Sequence, residues 1–161
     1  MTITYKDISE RQKQLNIARE KRTELVVTES IALVEAYQKS LALDKSTWKD
    51  IEGKEQPYVM AGVLDKDGNF IKKPLTSIEL GADYVLSFEV ATVVDDSPRG
   101  GDMITQSICI SIDGGVAKVN LQDVGKIISV IDGDRSGICD AMKDRVLMSI
   151  YDDGLEEKRY F

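Results

Sequence analysis

Between Tyr5 and Leu43 the chain contains neither glycine nor proline, and Lys, Arg, Glu, Gln, Leu and Ala dominate the stretch. Such a segment predicts helix throughout, because no residue in it breaks the backbone pattern and most are strong helix formers. Ile8, Leu15 and Ala18 share a face near its start, Leu25 and Val26 continue that face, and Ile31, Val34, Tyr37 and Leu41 resume it. The β-branched cluster Val26-Val27-Thr28 marks the place where the segment can divide into two helices. Its front half carries more charge than deep burial allows, with Asp7 and Arg11 spaced for a solvated i,i+4 pair. A strict heptad fails, since the series Ile8, Leu15, Arg22, Glu29 turns polar, so a surface helix with room to self-associate is expected in place of a long coiled coil.

Beyond Leu43 the pattern changes. Asp44 to Gln56 reads as a connection anchored by the single tryptophan, Trp48. Tyr58–Leu64 and Phe70–Leu75 read as a hairpin closed by Asp65-Lys66-Asp67-Gly68-Asn69, where Asp-Gly tolerates positive φ. The clearest strand follows, with Tyr84, Leu86, Phe88, Val90 and Val94 on a core face and Asp83, Ser87 and Glu89 on a polar one. Met103 to Ile112 alternates in the same way and is expected to pair with it antiparallel, since Asp95–Asp102 is too short for a crossover helix. Val116–Val119 completes about five strands. Asn120 can then cap a helix carrying Leu121, Val124, Ile128 and Ile131, although Gly125 and the β-branched residues leave a strand open. A turn at Asp132–Gly137 leads to a second helix, Ile138 to Tyr151, ended by Asp152-Asp153-Gly154, and Leu155–Phe161 forms a tail whose Tyr160 and Phe161 can dock.

These elements assemble an α+β protein: an N-terminal helical segment (1–43) and C-terminal helices (121–151) packed on a mostly antiparallel sheet (57–120). The 161 residues, 42% of them hydrophobic, suit a single domain with its own core. No apolar run approaches the length of a membrane span, and Met1–Asp7 lacks the basic and apolar regions of a signal peptide. A cytoplasmic location is the expectation. Cys109 and Cys139 should then stay reduced and pack as small apolar groups, although spacing does not settle whether they pair.

Two negative features restrict chemistry. The chain has no histidine, which removes Ser-His and Cys-His nucleophiles and imidazole metal ligands together. The net charge of −7 is concentrated after residue 50, where 20 Asp/Glu face 12 Lys/Arg. That balance disfavours phosphate-backbone binding and favours a basic partner, besides serving solubility. Lys13, Arg19, Lys21 and Arg22 spread around their helix among Glu20 and Glu24, so no basic stripe for nucleic acid forms. No cofactor is implied, since neither a Walker A nor a dinucleotide fingerprint occurs.

Two loops concentrate the remaining candidates. Asp95-Asp96-Ser97-Pro98-Arg99-Gly100-Gly101-Asp102 places Asp95, Asp96, Arg99 and Asp102 at a hairpin tip, where Arg99 can grip a carboxylate or phosphate; the plainer reading is a solvated turn. Asp132-Gly133-Asp134-Arg135-Ser136-Gly137 with Asp140 matches part of a calcium loop between two helices, but Lys143 stands where the closing Glu belongs, which favours a simple interhelix turn. Asp65–Asn69 is weaker still.

The functional expectation is a noncatalytic module that binds a protein partner through its acidic surface and the Asp95–Asp102 loop. Helix-sheet-helix order, size and acidity together resemble secretion chaperones and toxin-neutralising immunity proteins in shape and charge, without a shared motif. Two alternatives remain: a structural or assembly subunit that forms a homo-oligomer through its N-terminal helix, and an enzyme or divalent-metal binder using the loop carboxylates.

Overall fold

The computed structural model describes residues 2–150, so the expected tail and the Asp152-Asp153-Gly154 stop lie outside the described residues. Helix α1 runs without a break over Tyr5–Ser40. Thr4 and Asp7 form a capping box at its start: the Asp7 carboxylate accepts from the Thr4 backbone N–H at 2.9 Å, and the Thr4 hydroxyl accepts from Asp7 N. Asp7 is thereby used at the helix end. No division occurs at Val26-Val27-Thr28, because Val26 is fully buried there and Ser30 returns a hydrogen bond to its carbonyl, so packing outweighs the modest propensity cost of β-branching.

The helix is about 54 Å long at 1.5 Å per residue, and only its second half is core. Val26, Ser30, Leu33 and Tyr37 are buried at helical spacing. Ile8 and Leu15 by contrast are 60% and 39% exposed. The anticipated face from Ile8 to Ala18 is therefore largely uncovered, and Leu15 is the first of its residues to share a groove with the sheet side, beside Asp83 and Tyr84.

The expected connection from Asp44 to Gln56 is a small hairpin of β1 (Thr47–Lys49) and β2 (Glu55–Pro57). The Asp50 carboxylate accepts from the backbone N–H of Glu52 and Lys54, which builds the turn between them. Trp48 anchors the unit as anticipated: its ring is buried and its indole N–H donates to the Pro57 carbonyl at 3.2 Å.

The main sheet has six antiparallel strands where about five were expected. They are β3 (Val59–Leu64), β4 (Phe70–Lys72), β5 (Leu86–Val93), β6 (Met103–Asp113), β7 (Val116–Leu121) and β8 (Lys126–Val130), in the order β4-β3-β5-β6-β7-β8. The order departs from a meander once, because β5 returns to pair with β3 and leaves β4 at the edge. The return path carries two 3-10 turns, Leu75–Ser77 and Ala82–Tyr84, and both pack against α1.

The expected helix over Leu121–Ile131 is a strand. Asn120 lies inside β7 instead of capping a helix, Gly125 adopts φ +66° in a tight turn, and β8 pairs back on β7 with Val119 opposite Ile128. The residues Leu121, Val124, Ile128 and Ile131 do fall at helical spacing, but ladder hydrogen bonds to β7 and the β-branched side chains favour the extended form. The C-terminal helical layer accordingly consists of one helix among the described residues, α2 (Ser136–Ser149).

Register separates the faces. Tyr37 of α1 hydrogen-bonds Thr92 of β5 at 2.8 Å, so Leu86, Phe88, Val90 and Thr92 face the helices, together with their β6 neighbours Gln106, Ile108 and Ile110. Ile138, Cys139 and Met142 of α2 complete this core. The partly buried pair of Arg135 and Glu29 ties α2 to α1, with both Nε and Nη2 of the arginine on Glu29 Oε1 at 2.8 and 2.7 Å. Cys109 points to the opposite face, where it shares a hydrogen bond with Ser87, while Cys139 is buried under the helices. The sheet stands between them, and both are free thiols.

Candidate functional site

The loop between β5 and β6 is exposed at its tip and ordered by its own sequence. Ser97-Pro98-Arg99-Gly100 forms a turn closed by Gly100 N–H donating to the Ser97 carbonyl at 2.8 Å, with proline at the position that presets its φ. The Asp95 carboxylate accepts from both the backbone N–H and the hydroxyl of Ser97, and these bonds hold its pKa below the usual carboxylate range. The Asp95 carbonyl accepts from Gly101 N–H at 2.7 Å. Gly101 takes φ +102° against the Trp48 ring, a position a side chain would strain twice over. Asp96 accepts from the Tyr58 hydroxyl at 2.6 Å, and this bond to a carboxylate raises the tyrosine pKa.

The four expected binding residues thus share one loop but divide in role. Asp95 and Asp96 are engaged in building it. Arg99 and Asp102 make no side-chain hydrogen bond or ion pair among the described residues, and both are exposed. The arrangement offers a cation and an anion on an ordered backbone.

The Asp132–Asp140 segment follows β8 and runs into the first turns of α2, so a strand stands where the first helix of a calcium loop's helix-loop-helix setting belongs. Asp134 accepts from the Ser136 N–H and hydroxyl, which depresses its pKa, and Arg135 reaches back to the Gly133 carbonyl. Asp140 pairs with Lys143 at 3.5 Å. Among the described residues no three His, Cys, Asp or Glu side chains gather into a set able to hold a metal ion, and no helix is long and apolar enough to cross a membrane.

The outer face of the sheet holds a group that alternation alone places in solvent. Glu89 of β5 points away from the helices, yet it is only 7% exposed. Its cross-strand neighbours explain this: Gly62 of β3 lies on one side and Ser107 of β6 on the other. The missing side chain at Gly62 lets the Phe70 ring lie over it, since a Cβ there would meet the ring at 2.9 Å and the Ile71 carbonyl oxygen at 2.0 Å. Glu89 Oε1 accepts from the Ser107 hydroxyl at 2.7 Å, whereas Oε2 is shielded from solvent without a partner. Burial, reinforced by the nearby Asp123 carboxylate, pushes the Glu89 pKa up against the effect of that hydrogen bond. Asp123 is fixed there because it accepts from Ser107 N–H at 2.8 Å.

A shallow cavity of about 210 Å³ opens beside Glu89, bounded by Leu64, Ser87, Ser107 and Gln122. Alternation by itself counts Glu89 as one member of a polar face with Ser87. The available signal is a lone carboxylate between Phe88 and Val90 in a strand that carries no other charge. No protein-family model, curated protein or solved structure matches this chain.

Proposed function

We propose that this chain is a noncatalytic, acidic protein-binding module of the inhibitor, immunity or chaperone type, acting on a basic protein partner. The single observation that carries this reading is the β5–β6 loop, whose backbone is tied down by Asp95, Asp96 and Gly101 while Arg99 and Asp102 stand exposed and unpaired among the described residues. A loop already held in one conformation loses little freedom on binding, so its charges can contribute to affinity in full. The excess of carboxylates after residue 50 supplies a field that steers a basic surface toward it.

The test is capture from the native host at low and high salt, with the wild type and with the double variant Arg99→Ala, Asp102→Asn. A partner held at low salt, released at high salt and weakened severalfold by the variant is expected. Failure to find any salt-sensitive partner would overturn the reading.

One observation favours a second reading, a self-associating assembly subunit. The first ten residues of α1, roughly 15 Å of helix, carry Ile8 on a surface that no other element among the described residues covers. Light scattering that shows an oligomer, reduced to a monomer by deletion of residues 2–14, is the expected outcome under this reading. A monomer at high concentration would exclude it. The deletion stops short of Arg22, whose guanidinium donates to the Ile112 carbonyl at 2.7 Å, and of the buried Val26.

A further inference from the structure

We propose that the cavity beside Glu89 binds an organic cation bearing N–H donors on an apolar stem, and that a lysine or arginine side chain of the basic partner is what enters it. The chemistry of the site stands on its own geometry; the assignment to a partner's side chain rests on the binding-module reading above.

Glu89 Oε2 is a buried acceptor without a donor, a condition that costs free energy and that native structures rarely leave uncorrected. Its cavity is lined by Leu64, suited to methylenes, and by the polar residues Ser87 and Gln122. The Asp123 carboxylate adds a second negative charge next to Ser107. An anion is therefore repelled. A divalent metal finds too few oxygens, since no three-residue ligand set exists among the described residues and such ions take six or more. An ammonium or guanidinium supplies both missing elements, a positive charge and, once the Glu89 carboxylate turns its shielded oxygen to the cavity, a donor for Oε2; hydrogen bonds to ionised groups are about twice as strong as neutral ones. The outer face of the sheet leads to the cavity without crossing the helical layer.

The experiment follows the Glu89 carboxyl carbon and the Ser87, Ser107 and Gln122 amides by NMR during titration with methylguanidinium and n-butylammonium. Tetramethylammonium, which has no N–H, and magnesium serve as comparisons. Saturable shifts with the first two cations, a fall in the Glu89 pKa on binding, and at least about tenfold weaker binding in Glu89→Gln are expected. Acidifying the wild type through the Glu89 titration should release the cation, a check that needs no variant. No saturable shift, or equal binding by tetramethylammonium or by Glu89→Gln, would overturn the site. Partner capture unaffected by Glu89→Gln would overturn the assignment to a partner's side chain and leave the module reading standing. Saturable cation binding by a protein that captures no partner would support the site and overturn the module reading.

Discussion

At the scale of single residues, the outer face of β5 depends on the missing side chain beside it in β3. Gly62 is required by space: a methyl group there would lie 2.0 Å from a backbone oxygen that cannot swing aside. Gly62→Ala is expected to lower stability by about 2 kcal/mol or more, as overpacking against main chain does. Gly68→Ala, at φ +80° with open space around it, should cost only about 1 kcal/mol of conformational strain. Urea unfolding of both variants checks the contrast, and equal losses would contradict it. Glu89 carries a pH dependence of definite sign. Its pKa is raised in the folded chain, so its contribution to stability is complete below the unfolded-state glutamate value and is lost as pH rises through the raised native value. Glu89→Gln removes that loss. Melting temperatures of variant and wild type should diverge upward across this window in favour of the variant; parallel curves would show that the carboxyl titrates normally.

At the scale of elements, the two helices are joined by a contact that neither encodes alone. Arg135, just before α2, places two nitrogens on Glu29 of α1, and both side chains are about one-fifth exposed. Arg135→Ala should cost roughly 1.5 to 3 kcal/mol, the range for hydrogen bonds to a charged group, and should loosen the first turn of α2. Amide hydrogen exchange at Cys139, whose N–H donates to the Arg135 carbonyl at 3.0 Å, reads that loosening directly. The strands divide by how locally they are determined. β5 and β6 were legible from alternation, and the Asp-Gly turn identified the β3–β4 hairpin. β8 was not, because Leu121, Val124, Ile128 and Ile131 fall at helical spacing, and the ladder to β7 has to add to the β-branching of Ile127, Ile128 and Val130 before strand wins over helix.

For the molecule as a whole, the described helices layer one face of the sheet and leave much of the other open, while α1 extends beyond both. Loss of residues 2–14 should leave the melting temperature within about 2 °C of the wild type, because these positions contribute almost no buried surface. A larger drop would mean that the overhang is covered in solution, by a second copy of the chain. The loop that holds Asp95, Asp96, Arg99 and Asp102 and the cavity at Glu89 both belong to β5 and its connections. The acidic excess after residue 50 includes both sites, whereas the overhanging helix is nearly neutral. The surfaces proposed for partner capture and for self-association are thus separate in space as well as in charge.

Local sequence determined whatever depends on neighbours a few residues apart: the Gly- and Pro-free helix with its Thr4 cap, the alternation of β5 and β6, the turn chemistry of Ser97-Pro98-Arg99-Gly100, and the absence of imidazole chemistry. Tertiary structure decided what depends on residues brought from afar. It kept α1 continuous through Val26 by burying that side chain, drew Lys126–Val130 into the sheet, and set β3 between β4 and β5. It also buried Glu89 between Gly62 and Ser107. Alternation specifies which way a side chain points, and only the neighbouring strands specify whether water is there to meet it.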